Sequence, residues 1–121
     1  MAQRLLIVDD QATVRQGLRS LLSSTEWQVC GEAIDGLEAI QKAKSLKPNL
    51  IIMDISMPRM GGIEATQIIR KEVPEAKILI VSQDDPTIGA DLARTAKAHG
   101  FVSKTEAAQH LLETIQRITA A

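Results

Sequence analysis

The chain has 121 residues, 45% of them hydrophobic and 24% charged, with a formal net charge of -1 and a single cysteine. A length of this order supports one core that hides about two-thirds of the surface an unfolded chain exposes, so a single domain over residues 1–121 is expected. Near-neutral charge gives no basic footprint for nucleic acid, no apolar run approaches the about 20 residues of a membrane span, and no signal-peptide core opens the chain; these together imply a cytoplasmic protein.

In chain order, Leu5 to Val8 is the first of four apolar runs that do not alternate with polar residues, as expected of strands covered on both faces. Val14, Leu18, Leu21 and Leu22 then recur at helical spacing and predict a helix that lays one stripe on a sheet. Trp27 to Ala33 does alternate, with Trp27, Val29, Gly31 and Ala33 on one face, which suits an edge strand. Cys30 within it reads as a buried, inert thiol. Asp35 is placed to cap a helix opening at Gly36. Leu50 to Met53 and Ile78 to Val81 supply the third and fourth strands. Pro86, following Asp84 and Asp85, suits a first helical position. The segment from Thr87 to His99 carries a thin stripe of Ile88, Leu92 and Ala96, and Gly100 suits the residue that ends a helix. Phe101 and Val102 make a last short strand, and Ala108, Leu111, Leu112 and Ile115 mark a last helix. His99 and His110 read as helix-surface residues. Five strands alternating with five helices imply right-handed crossovers and a parallel sheet between two helical layers, an α/β/α domain.

In an open parallel sheet the functional site lies at the carboxyl ends of the strands. The residues that follow the apolar runs are all polar: Asp9 and Asp10, then Asp54, then Ser82, then Ser103 and Lys104. Each alone is an ordinary cap, turn or surface residue. Together, carboxylates converging on one rim repel by about 4 kcal/mol per pair at about 4 Å and an effective dielectric near 20, a cost that demands counter-charge. Mg²⁺, with Mn²⁺ as a substitute, answers it with oxygen ligands and leaves a position for a phosphoryl oxygen, and Lys104 adds a second positive charge. Asp54 is then the expected nucleophile of an in-line phosphoryl transfer, assisted by Ser82 and Lys104. Its strand would be central and beside the first, which brings Asp9 and Asp10 alongside as metal ligands. No histidine stands at a strand end, so hydrolysis by a nucleophile–histidine pair has no support. A metal-dependent phosphatase with an aspartyl nucleophile competes, but that chemistry separates its two aspartates by one residue and needs a cap over its substrate. A flavodoxin-type cofactor site fits less well, because the first strand leads into Asp9-Asp10-Gln11 and not a phosphate-cradling loop.

The whole chain resembles the response-regulator receiver family, through Leu5-Leu6-Ile7-Val8-Asp9-Asp10, Ile52-Met53-Asp54-Ile55-Ser56-Met57-Pro58, Gly61-Gly62, Ser82 and Lys104. The resemblance implies a flavodoxin-like sheet in the order 2-1-3-4-5, of which receivers are a standing example. It implies phosphorylation of Asp54 by a sensor histidine kinase, with Asp10 as a direct metal ligand and Asp9 as one acting largely through water. Ser56 would lend a backbone carbonyl to the metal, and Ser82 and Lys104 would bind the phosphoryl group. Phe101 falls where the family keeps an aromatic residue that turns inward on phosphorylation, so Ser82 and Phe101 would form the switch; by periodicity alone it is a core phenylalanine. Such a domain is not an enzyme but a switch that assists only its own phosphorylation and dephosphorylation. The fourth helix, fifth strand and last helix form its expected partner face, including that of a phosphorylation-dependent homodimer. Ile80 to Pro86 and Gly100 to Lys104 look most like NarL/FixJ-like transcription factors, which carry a LuxR-type helix-turn-helix domain after the receiver. Control of such a domain, outside this chain, is the expected output, and a stand-alone response regulator the alternative. Two positions depart from the family pattern. Gln83 stands where many receivers have a small residue and would restrict access to Asp54. Thr105 stands where many have a proline after a cis bond, and it offers the last helix an N-cap.

Overall fold

The computed structural model describes residues 3–120, and in it the apolar runs become parallel strands separated by helices. In chain order these are β1 (Gln3–Val8), α1 (Ala12–Leu22), β2 (Trp27–Ala33), α2 (Gly36–Leu46), β3 (Leu50–Met53), α3 (Gly62–Glu72), β4 (Lys77–Ser82), α4 (Pro86–Thr95), β5 (Gly100–Ser103) and α5 (Ala107–Thr119), the last preceded by a 3-10 turn over Lys104–Glu106. The sheet order is β2-β1-β3-β4-β5, the flavodoxin-like order expected of a receiver.

Because the runs 5–8, 50–53 and 78–81 of the inner strands are apolar at every position, each feeds two cores. Leu6, Val8, Ile51, Met53, Ile78 and Ile80 face α2, α3 and α4, where Ala39, Ala43, Ala65, Ile69 and Ala93 meet them. Leu5, Ile7, Leu50, Ile52, Leu79 and Val81 face Leu18 and Leu22 of α1 and Leu111 and Ile115 of α5. Each fully buried Leu or Ile contributes about 1.5–3 kcal/mol of transfer free energy, so these two layers carry the fold. The expected cap at Asp35 forms, accepting from Glu38 N–H at 2.8 Å, and Pro86 takes the first helical position as expected, behind Asp85, which accepts from Thr87 N–H at 2.9 Å.

Several details differ from the pattern read in the sequence. In β2 the alternation does not keep one face. Leu5 pairs with Val29 and Leu6 with Gly31, so Cys30 is the extra residue of a bulge, which turns the strand over. Trp27 and Val29 therefore pack toward α1 and α5, whereas Ala33 packs toward α2. Cys30 is half-buried on this edge strand, not buried. The stripe of α4 is Gly89, Ala93 and Ala96, with Leu92 beside it, and Ile88 is 58% exposed. That helix ends at Thr95 and the chain turns at Lys97, at φ 64°, so Gly100 opens β5 instead of closing a helix. His99 lies in this turn: its backbone N–H donates to Ile78 carbonyl at 2.8 Å and its Nδ1 accepts from Ile78 N–H at 3.0 Å. On α5 the buried positions are Ala107, Leu111, Thr114 and Ile115, while Ala108 and Leu112 are exposed and His110 lies on the surface as expected. Thr105 caps nothing; its hydroxyl pairs with that of Ser103 at 2.9 Å, and every described peptide bond is trans.

Candidate functional site

The ladder between β1 and β3 delivers the acidic residues to one place. Val8 pairs with Met53, and the next bond in line, Asp54 N–H to Val8 carbonyl at 3.0 Å, sets Asp54 beside Asp9. Asp9 is in turn fixed by its own N–H on Ala33 carbonyl at 3.0 Å and by Gln11 N–H on its Oδ1 at 2.9 Å. Carboxylate oxygens of Asp9, Asp10 and Asp54 all lie within 4.8 Å of one another. Asp9 and Asp54 are buried, at 2% and 6% exposure, while Asp10 is exposed.

Lys104, at the end of β5, reaches across the rim. Its Nζ stands 2.8 Å from Asp9 Oδ2 and 3.3 Å from Asp54 Oδ2. Burial alone would lower its pKa, but the two carboxylates outweigh that and hold the ammonium above its ordinary range. Asp54 is pushed up to about 6, first by burial and then by the charge of Asp9, against the opposing pull of Lys104 and of Ile55 N–H. That N–H donates to Asp54 Oδ1 at 2.8 Å. An all-oxygen donor set with excess negative charge fits a hard divalent cation of the Mg²⁺ type, and the residues present are chemically suited to one.

Ser82 ends β4 at 1% exposure, paired in register with Ser103. It makes no hydrogen bond to Asp54; its Oγ accepts from Asp84 N–H at 3.1 Å, which leaves its own proton free to donate. Phe101 is half-buried on β5, its ring against the backbone of α4 at Gly89. Ser56 is exposed in the loop after β3, and Gln83 is exposed beside Lys104 at the mouth of a groove between α1 and α5. The structure thus brings Asp9, Asp10, Asp54 and Lys104 together, with Ser82 and Phe101 on the neighbouring strands. One contact had no signal in the sequence. Arg59 Nε donates to Asp35 Oδ2 at 2.5 Å, joining the loop after β3 to the start of α2 across 24 residues of chain. Arg59 follows a proline in a polar loop and reads there as solvated surface.

Sheet order and acidic rim together define a receiver-type switch domain, and comparison with known proteins agrees. Residues 5–116 match the response regulator receiver domain, and the chain belongs to that family. It is 37% identical over 119 residues to the chemotaxis protein CheY of Thermotoga maritima, covering 98% of this chain and 99% of that protein. It is 36% identical over 118 residues to the response regulator protein VraR of Staphylococcus aureus, covering 97% of this chain but 56% of VraR, so it spans about half the length of that relative. A solved two-component response regulator of the LuxR family from Aurantimonas sp. SI85-9A1 superposes with a TM-score of 0.91 at 35% identity, over 99% of this chain and 86% of that one. Among the described residues no helix is long and apolar enough to cross a membrane.

Proposed function

We propose that residues 1–121 act as one phosphoacceptor domain in which Asp54 takes a phosphoryl group from a histidine kinase. The supporting observation is the buried Asp54 carboxylate, flanked by Lys104 and by two further aspartates whose oxygens lie within 4.8 Å. With its pKa near 6, Asp54 is largely ionised at neutral pH and available as a nucleophile. One carboxylate oxygen attacks phosphorus, the bond from phosphorus to the donor's imidazole nitrogen breaks, and the imidazole departs with that electron pair. Lys104 is within reach to pair with a phosphoryl oxygen, and Ser82 has a hydroxyl proton to offer another. Mg²⁺, or Mn²⁺ in its place, would be held by Asp10, Asp54 and the Ser56 carbonyl, with Asp9 acting through water, and when bound it neutralises charge on the transferring group. The domain is a switch and not an enzyme acting on an external substrate. We place it in the cytoplasm, with a sensor histidine kinase as partner and α4, β5 and α5 as the face for a phosphorylation-dependent homodimer. Similarity to VraR and to a LuxR-family regulator supports control of a DNA-binding domain as the output, while near full-length similarity to CheY supports a stand-alone regulator.

Incubation with acetyl phosphate and Mg²⁺, followed by mass spectrometry, tests the assignment. One phosphoryl group is expected on the wild type and none on Asp54→Asn; continued labelling of that variant would show that another residue is the acceptor. Turnover of a generic phosphate ester would favour the phosphatase alternative.

A further inference from the structure

The loop between Asp54 and α3 is held from outside by an ion pair that the phosphoryl chemistry does not use. Gly62 N–H donates to Ile55 carbonyl at 2.8 Å, and Met60 N–H to Pro58 carbonyl at 2.7 Å. Among the described residues, Ser56, Met57 and Arg59 make no other backbone hydrogen bond. Met57 and Met60 pack the arch onto the core, and two polar contacts, both to the start of α2, tie it sideways. Gly36 N–H donates to Met60 carbonyl at 2.8 Å, and Arg59 Nε donates to Asp35 Oδ2 at 2.5 Å. Arg59 sits at φ 65°, in the left-handed region that a non-glycine residue occupies only under constraint. Asp35 is a rigid anchor for it: it is 5% exposed, and its other oxygen, Oδ1, caps α2 through Glu38 N–H at 2.8 Å. The Asp35 carboxyl is held below its ordinary range, first by that N–H and then by Arg59.

We propose that Asp35 and Arg59 are positioning residues for metal binding, pinning the arch to α2 so that the Ser56 carbonyl sits where it can join Asp10 and Asp54. This rests on the metal reading given above. Only Met57 and Pro58 separate Ser56 from Arg59, and the proline's fixed φ transmits a displacement of one to the other. Mg²⁺ requires near-ideal octahedral geometry, so a misplaced carbonyl lowers affinity even while Asp54, anchored on its strand, stays in place.

The test is the Mg²⁺ dissociation constant, from amide NMR titration of wild type, Arg59→Ala, Asp35→Asn and the double variant. Asparagine can still cap α2, so Asp35→Asn removes the ion pair without freeing the helix. Each single variant is expected to bind Mg²⁺ about tenfold more weakly, and the double variant no more weakly than either, because one interaction is lost in all three. Arg59→Gly, which suits a left-handed φ, should bind as weakly as Arg59→Ala; wild-type affinity there would mean that backbone strain and not the pair matters, and would overturn the proposal. Reduced melting temperature with unchanged Mg²⁺ affinity in Arg59→Ala and Asp35→Asn would overturn it too, leaving the metal reading intact. A wild type that does not respond to Mg²⁺ would overturn both.

Discussion

The two sides of the acidic rim are built to different tolerances. Toward α2 and α3, backbone meets backbone: Gly62 packs against Asp54 so closely that a Cβ on it would lie 1.8 Å from the Asp54 carbonyl oxygen, and the arch between them is pinned to α2. Toward α4 and β5, contacts are made by small side chains and one ring. The buried face of α4 is Gly89, Ala93 and Ala96, its nearest large neighbour is the half-buried Phe101, and Ser82 is held by a single bond to Asp84 N–H. A helix that buries little apolar surface opens or shifts at lower cost than one that buries much. Under the proposed function, the side that would present fixed oxygens is thus tightly built, and the side that would report their occupancy is loosely built.

The largest effect that separates the two sides is expected from adding one methyl group to each. Gly62→Ala forces a carbon into backbone that cannot move without disturbing Asp54, and should cost more than about 3 kcal/mol in urea unfolding. At Gly89 the added Cβ would lie 2.6 Å from the Phe101 ring, which can rotate away. Alanine also gains about 1 kcal/mol of helix propensity there, so Gly89→Ala should change stability by no more than about 1 kcal/mol. Equal losses at the two positions would mean that α4 is as tightly built as α3.

Next in size is the cost of keeping Asp54 charged. Its pKa in the folded protein, about 6, lies above the ordinary 3.8, so the native state binds this proton more tightly than the unfolded one. The stability this provides is complete below about pH 3.8 and is lost as pH rises through about 6. In metal-free protein, Asp54→Asn escapes that loss and should be more stable than wild type by at most about 3 kcal/mol at pH 8, with the difference vanishing toward pH 4. Mg²⁺ should close the gap by stabilising wild type. A pH-independent difference would mean that Asp54 is not the group responsible.

The looser side should yield to loss of one hydroxyl. Ser82→Ala removes the acceptor for Asp84 N–H, at about 1 kcal/mol, and also the donor a phosphoryl group would recruit. A phosphoryl mimic at Asp54 is expected to shift amide signals from Ser82 through Phe101 more than those of α1, and Ser82→Ala should remove most of that response. Shifts that cluster on α1 and α2, or survive in the variant, would rule out this route.

Sequence made the rigid side easier to foresee than the loose one. Four unbroken apolar runs and one alternating segment place five strands, and the polar residues that end the unbroken runs place Asp9, Asp10, Asp54, Ser82 and Lys104 on one rim, because strand ends are set by local chain chemistry. On α4 the thin apolar stripe holds at Leu92 and Ala96 but not at Ile88, which faces solvent, because Gly89 and Ala93, which take the buried face, carry too little hydrophobicity to register. The bulge at Cys30 is a property of pairing between β1 and β2, not of either strand alone. The bond from Arg59 to Asp35 joins residues with no periodic relation, so only the folded chain brings it to light.

The smallest expected effect concerns the turn between α4 and β5, where His99 replaces backbone as the partner of Ile78. Its Nδ1 accepts from Ile78 N–H at 3.0 Å, which requires that nitrogen to be unprotonated. Burial first, then the charges of Arg70 and Lys77, lower its pKa below the ordinary 6.5. The native state therefore disfavours the proton: this contribution to stability is complete above pH 6.5 and is lost as pH falls through the lower folded value. That sign is opposite to Asp54, whose contribution grows as pH falls, so in wild type the two partly cancel below neutrality. Measuring in an Asp54→Asn background isolates His99. There, stability should decline as pH falls below about 6.5, and the further change His99→Gln should flatten that part of the profile. If the decline persists without the imidazole, the start of β4 is not held by His99, and the loose side of the molecule begins only at α4 itself.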